Sequence, residues 1–224
     1  METAASPHDK HLTLILGAHP DDGALGAGGL AAQLRSRGGR VVLLTATLGE
    51  LGGDPLTRKA EDIAAAGILG IEPHYGGLRD GRITVRSAIR LVEDAVGRFK
   101  PTTVLVHHPR DSHQDHAYLS RATVAACRQV PNLIFYEGPT SQCFCPSLVI
   151  DISAVWRLKR EALLAYQSQL PRVDLIRWAD SASRFRSWPR YGRRARCEGL
   201  HLHRGDLWSL FDALDGRHPD NEEL

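Results

Sequence analysis

A chain of 224 residues is long enough to build one α/β domain around a sizeable core. Its 28 basic and 26 acidic side chains leave a net charge of +2, which excludes a global pull toward nucleic acid or a membrane surface. With 42% hydrophobic and 24% charged residues, the composition is that of a soluble globular protein and not of a disordered or fibrous one.

Residues 1–10 read as a flexible polar tail with no apolar core of signal-peptide length, and no apolar run is long enough to span a bilayer. A cytoplasmic protein with reduced thiols is expected. Cys127, Cys143, Cys145 and Cys197 contain no CxxC pair, which argues against a structural zinc knuckle. Residues 11–18 (HLTLILGA) are a continuous apolar run, as in a strand buried on both faces. A helix of small residues follows over 23–37 and stops at Gly38-Gly39. Residues 40–48 form a second buried strand. A glycine-containing loop leads to a helix over 56–69, and 76–81 is rich in turn residues. The spacing of Ile89, Leu91, Val92, Ala95 and Val96 predicts an amphipathic helix over 87–99. Pro101 opens a strand over 102–107, and a helix follows over 113–128. Short strands are expected at 133–136 and 148–152, then a helix over 154–169 closed by Pro171. Beyond it the pattern weakens, apart from a short helix over 206–214. Alternating strands and helices predict an α/β fold, a Rossmann-like, mostly parallel sheet flanked by helices on both faces. Such sheets bind ligands beyond the carboxyl ends of their strands.

Two polar segments sit at such ends. The first, Ala18-His19-Pro20-Asp21-Asp22, closes the first strand. His19 and Asp22 lie three apart across a proline-restrained turn, so that an imidazole nitrogen and a carboxylate oxygen can converge on one Zn²⁺. Asp21, diverging from its neighbour, is left as a base for water. Alone, this segment reads more readily as a turn with Asp22 capping a helix near Ala24. The second, residues 108–116 (HPRDSHQDH), follows the 102–107 strand. His116 can supply a third ligand, and three protein ligands leave the open position that catalytic zinc needs. His113 and Asp115 flank it, a histidine and a carboxylate suited to stabilising an oxyanion or protonating an amine.

With these residues the chain resembles the PIG-L/LmbE-like family of zinc-dependent N-acetylglucosamine deacetylases, which carries AHPDDE and HPxDxHxDH-like segments. Here they read AHPDDG and HPRDSHQDH. Arg58-Lys59-Ala60-Glu61 is similar to the family's R-x-x-E helix start, Asp80-Gly81 to its DG turn, and residues 159–169 to its K-x-x-A…SQ helix. The resemblance implies His19, Asp22 and His116 as zinc ligands, Asp21 as general base, and His113, oriented by Asp115, as electrostatic and acid partner. It also implies Arg58 in binding substrate hydroxyls or phosphate, with Asp80 beside it. Two positions depart: Gly23 stands for a glutamate that borders the site, and Tyr166 for a histidine. Residues 172–204 carry Arg190 and Arg193 among interleaved Trp178, Trp188 and Tyr191. They are expected either to form a lid selecting an anionic or large glycosyl substrate, or to be core, solvated or homo-oligomer interface residues.

The expected function is therefore zinc-dependent removal of an N-acetyl group from an amino sugar or glycoconjugate in a single domain over 11–224, without nucleic acid or membrane as partner. Two alternatives stand beside it: an amidase acting on a thiol conjugate or glycosylated natural product, and a non-catalytic metal-binding protein.

Overall fold

The computed structural model describes residues 11–188, 191–192 and 194–205. The tail 1–10, Arg190, Arg193 and the helix expected over 206–214 lie outside these residues. The chain runs β1 (Leu12–Gly17), α1 (Asp22–Ser36), β2 (Arg40–Thr45), α2 (Pro55–Leu69), β3 (Glu72–Tyr75), α3 (Val85–Phe99), β4 (Thr103–His107), α4 (Gln114–Ala126) and β5 (Asn132–Tyr136). It continues through β6 (Leu148–Asp151), a 3-10 turn, α5 (Trp156–Leu164), α6 (Leu175–Ser187) and β7 (Cys197–Arg204).

The seven strands lie in the order β3-β2-β1-β4-β5-β7-β6. The first five are parallel, and β7 runs antiparallel to both β5 and β6. Alternate residues of each central strand feed opposite faces. Ile15, Leu43, Leu105 and Ile134 pack under α1, α2, α5 and α6. Leu14, Leu16, Val42, Val104, Val106 and Phe135 pack under α3 and α4. Helix α1 lies close to the sheet because small residues face it. A Cβ on Gly26 would stand 2.1 Å from a ring carbon of Tyr136. Gly23 belongs to the same surface: a Cβ there would meet Leu43 at 2.5 Å and Ile15 at 3.2 Å. The position therefore faces the core and not the pocket, so the missing glutamate does not open the site.

The helix expected over 154–169 is shorter. It ends at Leu164 because the following turn is drawn to α2, where Glu61 accepts the Ser168 N–H at 2.7 Å and its hydroxyl at 2.6 Å. Strands β3 and β7 and helix α6 have no counterpart among the expected elements. Strand β3 is a four-residue edge containing Pro73, and β7 interleaves histidine with leucine. Helix α6 buries only Leu175, Ala179 and two serines. Much of the arginine density is spent here. Arg186 forks onto Glu137 at 2.9 and 2.6 Å, and both Arg184 and Arg196 reach Asp180. Among the described residues no helix is long and apolar enough to cross a membrane.

Candidate active site

In the order β2-β1-β4-β5, the chain leaves β1 toward one edge of the sheet and leaves β4 toward the other. The loops after these adjacent strands separate and leave a crevice, the usual ligand position in such sheets. The two histidine-bearing segments meet there. His19 and Asp22 come from the β1–α1 turn, where the Asp22 carboxylate accepts the His19 backbone N–H at 2.7 Å and does not cap its helix. His116 comes from the first turn of α4.

Three donor groups converge. His19 Nδ1 lies 3.4 Å from the Asp22 carboxylate, His116 Nε2 lies 3.4 Å from its other oxygen, and the two imidazole nitrogens are 3.3 Å apart. Ligands held at about 2.0–2.1 Å around a tetrahedral divalent cation lie roughly 3.3–3.4 Å from one another. The far nitrogen of each ring faces carboxylate, as in metal-ligating histidines generally. His19 Nε2 is 3.0 Å from Asp80 and 3.4 Å from Asp115, and His116 Nδ1 is 3.4 Å from Asp111. The residues therefore fit a metal ion.

The electrostatics point the same way. Burial pulls the His19 imidazole down, but its bonds to Asp115, Asp22 and Asp80 reverse this and push it up to about 12. Burial opposes ionisation of Asp22, yet His116 and His107 hold it well below the usual carboxylate range. The carboxylates around His19 thus favour its protonated form, and an ion bound at its nitrogen would displace that proton. Asp21, next in sequence, is pushed up to about 8 by burial and by the charge of Asp22, against the pull of Arg58.

Asp21 turns away from the ligand triangle at φ 100, and its carboxylate lies 3.3 Å from Arg58 Nη2. Arg58, expected to bind substrate, is 5% exposed. It donates to the carbonyls of Pro20 at 2.9 Å and Gly49 at 2.7 Å, so its guanidinium ties the β1–α1 turn to the loop after β2. Glycine is required along that loop: a Cβ on Gly49, at φ 64, would stand 1.9 Å from Arg58 Nη1. Asp80 borders the cavity, but its oxygens go to His19 and to the Leu51 N–H at 2.9 Å.

The expected pairing of Asp115 with His113 is not the one formed. The Asp115 carboxylate takes the Gly81 N–H at 2.8 Å and faces His19. His113 instead caps α4, its Nδ1 accepting the Asp115 backbone N–H at 3.3 Å. Burial and the neighbouring His116 and His19 lower its pKa. A neutral His113 with Nδ1 accepting carries its proton on Nε2. Two further residues have no role assigned from sequence. Asp111 backs His116; burial opposes its ionisation, but its bond to the imidazole wins and holds it at about 2. His107 stacks on His116 at 3.9 Å, accepts the Ala18 N–H on Nε2 at 3.2 Å, and is lowered to about 4 by burial and His116. His107 walls the site, its Nε2 3.3 Å from the Asp22 carboxylate, and with Asp22 and His116 it forms a second group able to hold a metal ion. Its position as the last residue of β4 was the available signal.

A cavity of about 590 Å³ opens over His19, Asp21 and His113, with Gln169 and Val173 on its rim. Among the described residues of 172–204, Val173 alone borders it, so α6 and β7 do not form the expected lid.

Residues 14–127 match the family model described as PIG-L, GlcNAc-PI de-N-acetylase. The chain belongs to this family. It is 32% identical over 147 residues to the "Uncharacterized deacetylase YaiS" of Escherichia coli K12, covering 61% of this chain and 79% of that protein. It is 28% identical over 188 residues to the "Probable N-acetyl-alpha-D-glucosaminyl L-malate deacetylase 2" of Bacillus subtilis, covering 71% and 83%. The crystal structure of the conserved protein TT1542 from Thermus thermophilus superposes with a TM-score of 0.74 at 31% identity, covering 84% of this chain and 93% of that one. The family is one of deacetylases, enzymes acting on a non-peptide C–N bond, and both segments of the PIG-L chain that build the crevice fall within the matched residues.

Proposed function

We propose that this PIG-L protein is a zinc-dependent N-deacetylase that hydrolyses the acetamido group of an amino sugar or small glycoconjugate. The convergence of His19 Nδ1 and His116 Nε2, 3.3 Å apart and each 3.4 Å from one of the two Asp22 oxygens, with a spare carboxylate and a second imidazole beside them, carries the reading. His19, Asp22 and His116 would hold the ion. When bound, zinc supplies Lewis-acid polarisation of the amide carbonyl and acidifies water at the site.

The chain's own groups do the rest. Asp21 receives the proton of the attacking water and returns it to the departing amine, which requires a carboxylate able to hold a proton near neutral pH. His113 presents Nε2–H to the carbonyl oxygen as it becomes negative, and a neutral donor does so without adding charge to the cluster. Asp80, Asp115 and Asp111 fix the ring planes of His19 and His116, while Arg58 fixes the turn carrying Asp21.

The test is release of free amine and acetate from a panel of N-acetylglucosaminides, with zinc and after chelation. Zinc-restored release of both in equal amounts is expected. A zinc-loaded, folded protein that cleaves none of the panel would refute the reading.

A further inference from the structure

Tyr166 stands where the resemblance leads one to expect histidine, and its side chain is wholly buried at 0% exposure. Its hydroxyl donates to Asp62 Oδ1 at 2.7 Å, and the other Asp62 oxygen takes the Thr45 hydroxyl at 3.0 Å. Asp62 is itself 1% exposed; burial raises its pKa, and the hydroxyls it accepts from, with the nearby Asp21 backbone N–H, favour its ionised form. Asp21 is one of three non-glycine residues with positive φ among the described residues, at φ 100 and ψ −34, outside even the left-handed helical basin. Such a conformation persists only where its surroundings over-determine it. As the residue preceding the first turn of α1, Asp21 has an N–H with no partner in the helix. A buried charged acceptor, aimed by two hydroxyls, is suited to hold that N–H inward.

We propose that Asp62, braced by Tyr166 and Thr45, is a positioning residue that holds Asp21 in its strained turn so that the Asp21 carboxylate faces the cavity. This rests on the reading of Asp21 as the base. The turn is gripped from two sides. Asp62 sits near the Asp21 N–H, and Arg58 takes the Pro20 carbonyl from α2 at 2.9 Å. Asp62 and Arg58 lie one turn apart on α2, so a single helix sets the base. Asp62 touches no substrate. It acts through Asp21 alone, which separates it from a residue needed only for stability.

The experiment is a double-mutant cycle on the zinc enzyme. Asp62→Asn and Tyr166→Phe are each combined with Asp21→Asn, and kcat, KM and zinc content are measured well below the melting point. Alone, Asp62→Asn is expected to lower kcat about tenfold or more, with KM within about twofold and zinc retained, and Tyr166→Phe less so. In the Asp21→Asn background, itself slower by about two decades, neither should lower kcat further. Effects that multiply in the double variants would overturn the proposal, as would loss carried by KM. Amide hydrogen exchange at Asp21 provides a readout without activity: protection in the parent protein, at least about tenfold weaker in Tyr166→Phe. Should the protein release no amine from any acyl sugar, the functional reading fails, while exchange still decides the Asp62–Asp21 contact. An Asp21 amide unprotected in the parent, or equally protected in both, would refute that contact. Tyr166→Phe keeps the test open if Asp62→Asn does not fold.

Discussion

Glycine to alanine in a helix normally stabilises, by about 1 kcal/mol or less. The structure predicts that Gly26→Ala reverses that sign. The new methyl would lie 2.1, 2.6 and 2.8 Å from three ring carbons of Tyr136, where ordinary carbon contacts are about 3.5–4.0 Å. The ring would have to retreat by roughly 1.4 Å. It cannot do so freely: Tyr136 is 0% exposed, its hydroxyl bonds the Leu16 carbonyl at 2.8 Å, and His107 lies 4.8 Å beyond it. Overpacking costs about 1–3 kcal/mol and a stranded buried hydroxyl about as much, against less than about 1 kcal/mol of helix propensity, so a net loss near 3 kcal/mol follows. For a chain of this size each kcal/mol moves Tm by roughly 2–4 °C, which predicts a fall of about 6–12 °C. Gly67 and Gly97 are the controls. Both are helical and exposed, with nothing within 4 Å of a built Cβ, and alanine there should raise Tm by a few degrees. Thermal and urea melts with chelator present remove any contribution from bound metal. A Gly26→Ala protein melting at or above the parent would refute the packing argument. Because His107 stacks on His116, the variant should also weaken zinc binding, read by titration.

His116→Ala should lose most bound zinc while remaining folded, and Asp111→Asn, which keeps the ligand but not its orienting carboxylate, should weaken zinc affinity by about 10–100-fold. Stoichiometric zinc in His116→Ala would remove that residue from the ligand set. For His107 the folded pKa of about 4 lies below the unfolded value of 6.5. Between those values the unfolded chain binds the extra proton, so stability falls as pH drops from 6.5 toward 4. With chelator present, His107→Gln should flatten this part of the stability–pH curve, measured by urea melts at closely spaced pH. Parallel curves for parent and variant would contradict a buried neutral His107.

The parallel sheet was legible because its strands are buried on both faces, so residues 11–18 and 102–107 read as unbroken apolar runs. The end of the chain was not. Helix α6 buries alanine and serine in place of leucine, and β7 gains its place by pairing between β5 and β6, a long-range contact no local pattern encodes. The site divides along the same line. His19, Asp22 and His116 stand in two short segments whose combination carries the family resemblance, although the first alone reads as a turn and helix cap. The partners of Asp80 and Asp115 depend on which loops the sheet order brings together. Local reading therefore pairs Asp115 with its sequence neighbour His113, when its carboxylate reaches 96 residues back to His19. Arg58 likewise is expected to reach substrate, until the sheet order brings the Gly49 and Pro20 carbonyls onto its guanidinium.

Asp21 and Asp22 show how far adjacent identical residues can be driven apart. Asp22 is held ionised by the imidazoles it faces, whereas Asp21 is pushed up to about 8 by burial and by its neighbour's charge. Carboxylates forced apart by their surroundings mark a division of labour. The larger part of the upward push on Asp21 is burial, and the next is the repulsion of Asp22. A divalent cation held by Asp22 would offset that repulsion and add an attraction of its own, lowering the pKa of Asp21. Metal binding and arming of the base would then be one event, coupled through a single peptide bond. The strained turn gains a reason on this view. At φ 100 the backbone directs two successive carboxylates to different targets, one onto the ligand triangle and one toward Arg58 and the cavity. An unstrained helix start would not separate them in this way.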